Sequence, residues 1–141
     1  MPAVADPSLS VDTSLALPLL LRNHEAHQRS TEWRAGRRLS IAGHAWIETY
    51  AVLTRLPGAA RLLPGDAVRL LKSNFSEPLP PSPHLLANAV ELFATAGIAG
   101  GATYDGWIAL AALEHQVVLA SRDLRAESTY RRLGVEVELV I

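Results

Sequence analysis

The sequence predicts an α/β fold, with a mostly parallel central sheet flanked by helices on both faces. Three observations predict it. Short apolar runs with β-branched residues alternate along the chain with longer segments of helical spacing, the signature of repeated strand–helix units. The short runs read as buried strands, as expected of a parallel sheet covered on both sides. Glycine and proline stand at the joints, for example Pro57-Gly58 and Gly97, where helices terminate.

The elements follow in order. SLSVD is a first strand that ends at Asp12, and TSLALPLLLRNHEAHQRSTEWRAG has the spacing of one long helix stopping at Gly36. RLSIAG, residues 38–43, is a second buried strand, and HAWIETYAVLTRLPG a helix closed by Pro57-Gly58. PGDAVRLLKSNF begins with proline, which suits a first helical turn, and makes a shorter helix. The proline-rich SEPLPPSP is a loop with room for a short extended piece, too short for a domain linker. SPHLLANAVELFATAG and TYDGWIALAALEHQ are helices, VVLA a strand, DLRAESTYRRLG a helix with glycine past its end, and VEVELV the last strand. There is no internal repeat and no low-complexity segment.

With 141 residues, 49% of them hydrophobic, the chain has the size of one domain spanning 1–141 with a full core. The absence of cysteine excludes disulfides, thiol nucleophiles and thiolate metal sites. Any metal must therefore be held by oxygen or imidazole. The apolar run LALPLLL is too short to span a bilayer and contains a proline. The opening MPAVADPSLS lacks the basic and apolar regions of a secretory signal. A soluble, cytoplasmic protein is expected. Net charge is −1, so polyanion binding would need a local basic patch or metal ions. Of the 13 basic residues only Lys72 is lysine, and the arginines cluster at Arg34, Arg37, Arg38 and at Arg122, Arg125, Arg131, Arg132. Such forks suit phosphates, and equally well form solvated helix faces.

In parallel sheets ligands bind beyond the carboxyl ends of the strands, where the strand order reverses. Asp12 ends the first strand and Asp123 lies just past VVLA, so two distant parts of the chain send carboxylates to one sheet edge. Glu48 interrupts an apolar helix surface beside Ala51 and Val52. Asp105 follows Thr103, a candidate N-cap, near the start of its helix. Each acid alone has a structural explanation: dipole complementation for Glu48 and Asp105, an N-cap for Asp123, an Asx turn for Asp12. Together they would repel one another unless a cation neutralised them. Hard oxygen ligands favour Mg²⁺ or Mn²⁺, which complete their shells with water and substrate phosphate. Metal-dependent phosphodiester hydrolysis is the reaction class that follows.

The chain resembles the PIN-domain ribonucleases, and closely the VapC toxins of bacterial VapBC toxin–antitoxin pairs. The resemblance rests on VDTS with Asp12, HAWIETYAVLTRLPG with Glu48, GGATYDGWIALAALEH with Asp105 and LASRDLRAESTYRRLGVEVELV with Asp123. With the region of His24, His27 and Trp33, these pieces span nearly the whole chain in order. The resemblance implies a PIN-like fold and an acidic pocket in which Asp12, Glu48, Asp105 and Asp123 hold Mg²⁺ or Mn²⁺. It implies supporting hydroxyls at Thr13, Ser14 and Ser121, whose ordinary role would be turn and cap bonding. It also implies endoribonuclease activity on single-stranded or loop RNA, 5′-phosphate and 3′-hydroxyl products, silencing by a cognate antitoxin, and a homodimer. Arg122 and Arg125 are candidates for contact with RNA phosphate. Gly106 departs from the family, where alanine is common. It is expected to cost about 1 kcal/mol of helix stability and to loosen Asp105.

Other readings fit less well. His24 and His27 share a helix face on this reading, but the spacing is not HExxH and a surface pair is expected. His44, His84 and His115 show no partner. Asp6 and Asp66 read as loop or helix-start residues, and Trp33, Trp46 and Trp107 as core or interface. GxxxxGK[ST] and GxGxxG are absent, and Ser121-Arg122 stands where a receiver domain carries lysine. A non-catalytic PIN-like binding module, or a PIN nuclease of RNA maturation, remains as the alternative function.

Overall fold

The computed structural model of the protein describes residues 9–141; Asp6 and the expected strand start at Ser8 lie outside them. Strands β1 (Leu9–Val11), β2 (Ser40–Ile41), β3 (Val118–Ser121) and β4 (Val137–Leu139) form one sheet in the order β2-β1-β3-β4. Every pairing is parallel, with Val11 opposite both Ile41 and Ala120, and Ala120 opposite Glu138. Successive strand residues point to opposite faces. Ser10 and Val11, like Leu119 and Ala120, are all fully buried, so both faces of the sheet are covered, as the sequence predicts.

The helices are α1 (Thr13–Leu20), α2 (His27–Arg34), α3 (Gly43–Thr54), α4 (Pro64–Asn74), α5 (Pro83–Ala96), α6 (Ala102–Glu114) and α7 (Leu124–Arg132). The main core joins Val11, Leu15, Ile41, Leu53, Ile108, Leu119 and Tyr130. A second cluster, Ala89, Phe93, Ile98 and Leu110, docks α5 against α6. Gly97 ends α5 in the left-handed region at φ 71°, a conformation that glycine adopts without a Cβ clash. The proline-rich segment does contain extended backbone: the Leu79 N–H donates to Ile41 O and Leu79 O accepts from the Gly43 N–H, covering the edge of β2.

Two expectations are corrected. Residues 13–36 form two helices instead of one. Leu21 adopts an extended conformation after α1, and local side-chain bonds hold the turn that follows. His24 Nδ1 accepts from the Ala26 N–H, and His27 Nδ1 donates to Pro18 O across 2.7 Å. The two histidines therefore lie in a turn and at the start of α2, not on one helix face, and both brace the chain. Secondly, α6 starts after Gly101, without a side-chain cap bond, and Thr103 lies inside its first turn.

Candidate metal centre

Chain order reverses at β1: the chain leaves it for β2 on one side and later places β3 on the other. The carboxyl ends of β1 and β3 form the crevice between these two directions. Asp12 is the first residue after β1, and its N–H still donates to Ala120 O in the ladder. Its side chain then caps α1, with Oδ1 accepting from the Leu15 N–H at 3.2 Å and the Ser14 hydroxyl at 2.6 Å. Oδ2 accepts from the Ser121 hydroxyl and, at 2.8 Å, from the Tyr130 hydroxyl.

This carboxylate is only 2% exposed. Burial pushes its pKa up, and the bonds from Ser121, Ser14, Tyr130 and the Leu15 N–H pull it down. Four donors aimed at one side chain suit the ionised form, which only accepts, and they offset part of the burial penalty. The serines also accept: Ser14 Oγ from the Arg122 N–H at 2.9 Å, Ser121 Oγ from the Asp123 N–H at 3.0 Å. Each serine thus ties Asp12 to the loop that carries Asp123. The Thr13 hydroxyl, expected as a third support, is buried and has no hydrogen-bond partner among the described residues.

Asp123 caps α7, with Oδ1 accepting from the N–H groups of Arg125 and Ala126. The residue is partly exposed at the mouth of the crevice. Arg125 Nε lies 3.7 Å from the same oxygen, on a side chain 95% exposed. Arg122 is less free, since its guanidinium donates to Val140 O at 2.9 Å. These residues, with Ser14 and His24, line an open cleft of about 510 Å³.

Asp105 comes from the first turn of α6 and Glu48 from the middle of α3, two helices that pack together. Partial burial pushes Asp105 up to about 6, and the charges of Asp123, Glu48 and Asp12 push in the same direction, partly offset by Arg125. A helix N-terminus would by itself favour the charged form, so burial, with the neighbouring carboxylates added to it, outweighs that preference. All four sequence-predicted acids therefore act on one region. Among the described residues no three acidic or histidine side chains are arranged to enclose one ion. An open, all-oxygen site still fits Mg²⁺ or Mn²⁺, which bind through one or two carboxylates and retain waters. The unrelieved repulsion on Asp105 is the feature that a cation would neutralise.

A larger cavity, about 660 Å³ and mostly apolar, lies among Leu85, Leu92, Leu110, Leu113 and Leu133, and none of the four acids lines it. The chemistry follows the polar groups, so the crevice is the better candidate despite its smaller volume. Gly106 also differs from expectation. It is buried, and a Cβ there would lie 2.7 Å from Phe93 Cε1. The glycine admits α5 to close contact with α6 beside Asp105, so it holds the helix in place where a loosening was expected.

Sequence reasoning missed Tyr130 and the pair His44 and Tyr104. Tyr130 lies seven residues after Asp123, two helical turns along α7, on the face that also buries Ala126. That spacing is the signal that could have found it. His44 precedes Glu48 by one turn, with its Nε2 3.5 Å from Glu48 Oε2, and its ring stacks on Tyr104, next to Asp105.

The sequence matches the PIN domain family over residues 9–132. It is 50% identical over 131 residues to Ribonuclease VapC27 of Mycobacterium tuberculosis (strain ATCC 25618 / H37Rv), covering 93% of this chain and 96% of that protein. It is 36% identical over 138 residues to Ribonuclease VapC40 of Mycobacterium tuberculosis (strain CDC 1551 / Oshkosh), covering 94% and 98%. Among solved structures, that of VapBC2 from Rickettsia felis, bound to a DNA fragment from their promoter, shares the fold with a TM-score of 0.66. That match covers 93% of this chain and 97% of the other at 13% identity. The chain belongs to the PIN domain family.

Proposed function

We propose that this single-domain chain is a VapC-type toxin, a cytoplasmic endoribonuclease that uses Mg²⁺ or Mn²⁺ to hydrolyse RNA phosphodiester bonds. One observation carries the reading: at the switch point of the sheet Ser121 ties Asp12 to the Asp123 backbone, and the charges of Asp123, Glu48 and Asp12 add to burial in raising the pKa of Asp105. The 50% identity to a protein named a ribonuclease supports the same activity.

Asp12, Glu48, Asp105 and Asp123 are the residues that would hold the metal. When bound, the ion supplies an acidified water as nucleophile and stabilises negative charge on the scissile phosphate. Ser14, Ser121 and Tyr130 favour the ionised form of Asp12 and fix its orientation by donating to both of its oxygens. Arg125, the more exposed of the two candidate arginines, reaches the cleft mouth and suits a backbone phosphate.

The partners follow from the same reading. A cognate VapB-type antitoxin would silence the site, and an inserted arginine would pair with the carboxylates in the metal's place. The solved complex of VapBC2 from Rickettsia felis supports such a partner for this fold. A homodimer is part of the proposal. Purified protein incubated with RNA and Mg²⁺ or Mn²⁺ should release fragments with 5′-phosphate and 3′-hydroxyl ends, and EDTA should stop the reaction. Cleavage that persists in EDTA, or 2′,3′-cyclic phosphate ends, would overturn the mechanism.

A further inference from the structure

Two aromatic rings stand beside the acidic crevice without a part in holding Asp12. The Tyr104 ring stacks on the His44 imidazole with centroids 5.4 Å apart and planes 12° from parallel. His44 lies one turn before Glu48, and Tyr104 immediately precedes Asp105. The stack therefore joins α3 to α6 at the two residues that bring Glu48 and Asp105 to the site. Tyr104 nevertheless remains 61% exposed. With one face covered by the imidazole, an exposure of that size belongs to the opposite face and the ring edge.

A large exposed aromatic ring normally loses side-chain freedom on taking up a ligand. Here the imidazole already fixes the plane of the ring, and Glu48 Oε2, 3.5 Å from His44 Nε2, braces the imidazole in turn. The open face is flat, apolar and pre-oriented next to a carboxylate cluster. Unpaired bases stack on such faces in proteins that bind single-stranded nucleic acid. An exposed ring that belonged to the core would be buried, and Tyr104 is outside both core clusters.

We propose that the open face of Tyr104, backed by His44, is a base-stacking subsite that seats one unpaired nucleobase of the RNA beside the scissile phosphate. This rests on the ribonuclease reading and adds to it the way in which a single-stranded or loop substrate is held. Because every base has a π-face, the subsite selects for an unpaired base more than for its identity.

The test uses the full chain with Mg²⁺ or Mn²⁺ and single-stranded and hairpin-loop oligoribonucleotides of about 12 nucleotides, carrying 2-aminopurine at successive positions. Stacking on an aromatic ring quenches this base analogue. The parent should quench it at one position near the cut site. Tyr104→Phe should keep the quenching, and Tyr104→Leu and Tyr104→Ala should abolish it. Tyr104→Ala should weaken binding by about 5- to 150-fold, raise KM more than it lowers kcat, and lower the melting temperature only slightly through loss of the His44 stack. A parent that binds and cleaves, with Tyr104→Ala equal to it in affinity and quenching, overturns the subsite and leaves the ribonuclease reading standing; a protein partner would then be the use of the ring. A parent that neither binds nor cleaves any of these RNAs with either metal overturns the ribonuclease reading and the subsite with it.

Discussion

The Tyr130 hydroxyl donates to Asp12 Oδ2 across 2.8 Å, joining residues 118 positions apart in a buried contact. Burial and the charge of Asp12 push the tyrosine hydroxyl well above its ordinary pKa, so it stays a donor at any working pH. Tyr130→Phe keeps the ring and removes one of the four donors to a buried carboxylate. We expect a loss of about 1–3 kcal/mol in stability, read by urea unfolding, and a fall of about 10- to 100-fold in metal affinity or cleavage. A variant with unchanged metal affinity would remove Tyr130 from the site.

Ser121→Ala should be more harmful to cleavage than Ser14→Ala. Ser121 is fully buried, and its hydroxyl donates to Asp12 while accepting from the Asp123 N–H, so it sets two of the four acids at once. Ser14 orients Asp12 in the same way but accepts from the backbone of Arg122. Single-turnover rates on one RNA would rank the two, and equal rates would show that the link to Asp123 is without consequence.

Gly106→Ala should destabilise the protein although alanine is the better helix former. The new methyl would meet Phe93 Cε1 at 2.7 Å and Leu133 Cδ1 at 3.4 Å. Phe93 is itself buried, so its ring has little room to retreat. Overpacking costs about 1–3 kcal/mol, and the 2.7 Å contact with a buried ring puts this site in the upper part of that range, which exceeds a propensity gain of about 1 kcal/mol. In a Phe93→Ala background the same change should become stabilising. A double-mutant cycle with no coupling between the two positions would refute the contact.

Metal-free protein should lose stability as pH rises. The folded pKa of Asp105, about 6, lies above its ordinary 3.8, so the folded state holds this proton more tightly than the unfolded chain. The stability linked to that proton is fully present below 3.8 and is lost as pH passes through about 6. The buried Asp12, also raised, acts with the same sign. Melting in EDTA should therefore occur at a higher temperature near pH 5 than near pH 7, with the difference reduced in Asp105→Asn and the neutral-pH deficit restored by Mg²⁺.

Much of this arrangement is legible along the chain because it depends on local pattern. The short buried strands mark the sheet, and Asp12 and Asp123 stand at strand ends, where a parallel sheet presents ligands. Contacts between distant residues are not legible in that way. Tyr130 looks like any aromatic on an amphipathic helix until α7 packs against α6 and β4 and brings the hydroxyl to Asp12. Gly106 looks like a weak point in α6 until Phe93 of α5 is placed against it. The break after Leu20 is hidden because residues 21–26 keep helical spacing while His24 and His27 bond to the backbone and favour a turn. Thr103 has the side chain of a cap, but the Gly100-Gly101 pair lets α6 begin two residues earlier.

If the four acids form one metal site for RNA hydrolysis, neutralising either of two of them must stop the reaction. RNA cleavage with Mg²⁺ or Mn²⁺ by the parent and by Asp12→Asn and Asp105→Asn, each checked for folding by circular dichroism, tests this most directly. The parent should cleave, and both folded variants should lose cleavage. Parent-like cleavage by either folded variant would show that the four acids do not act as one metal site.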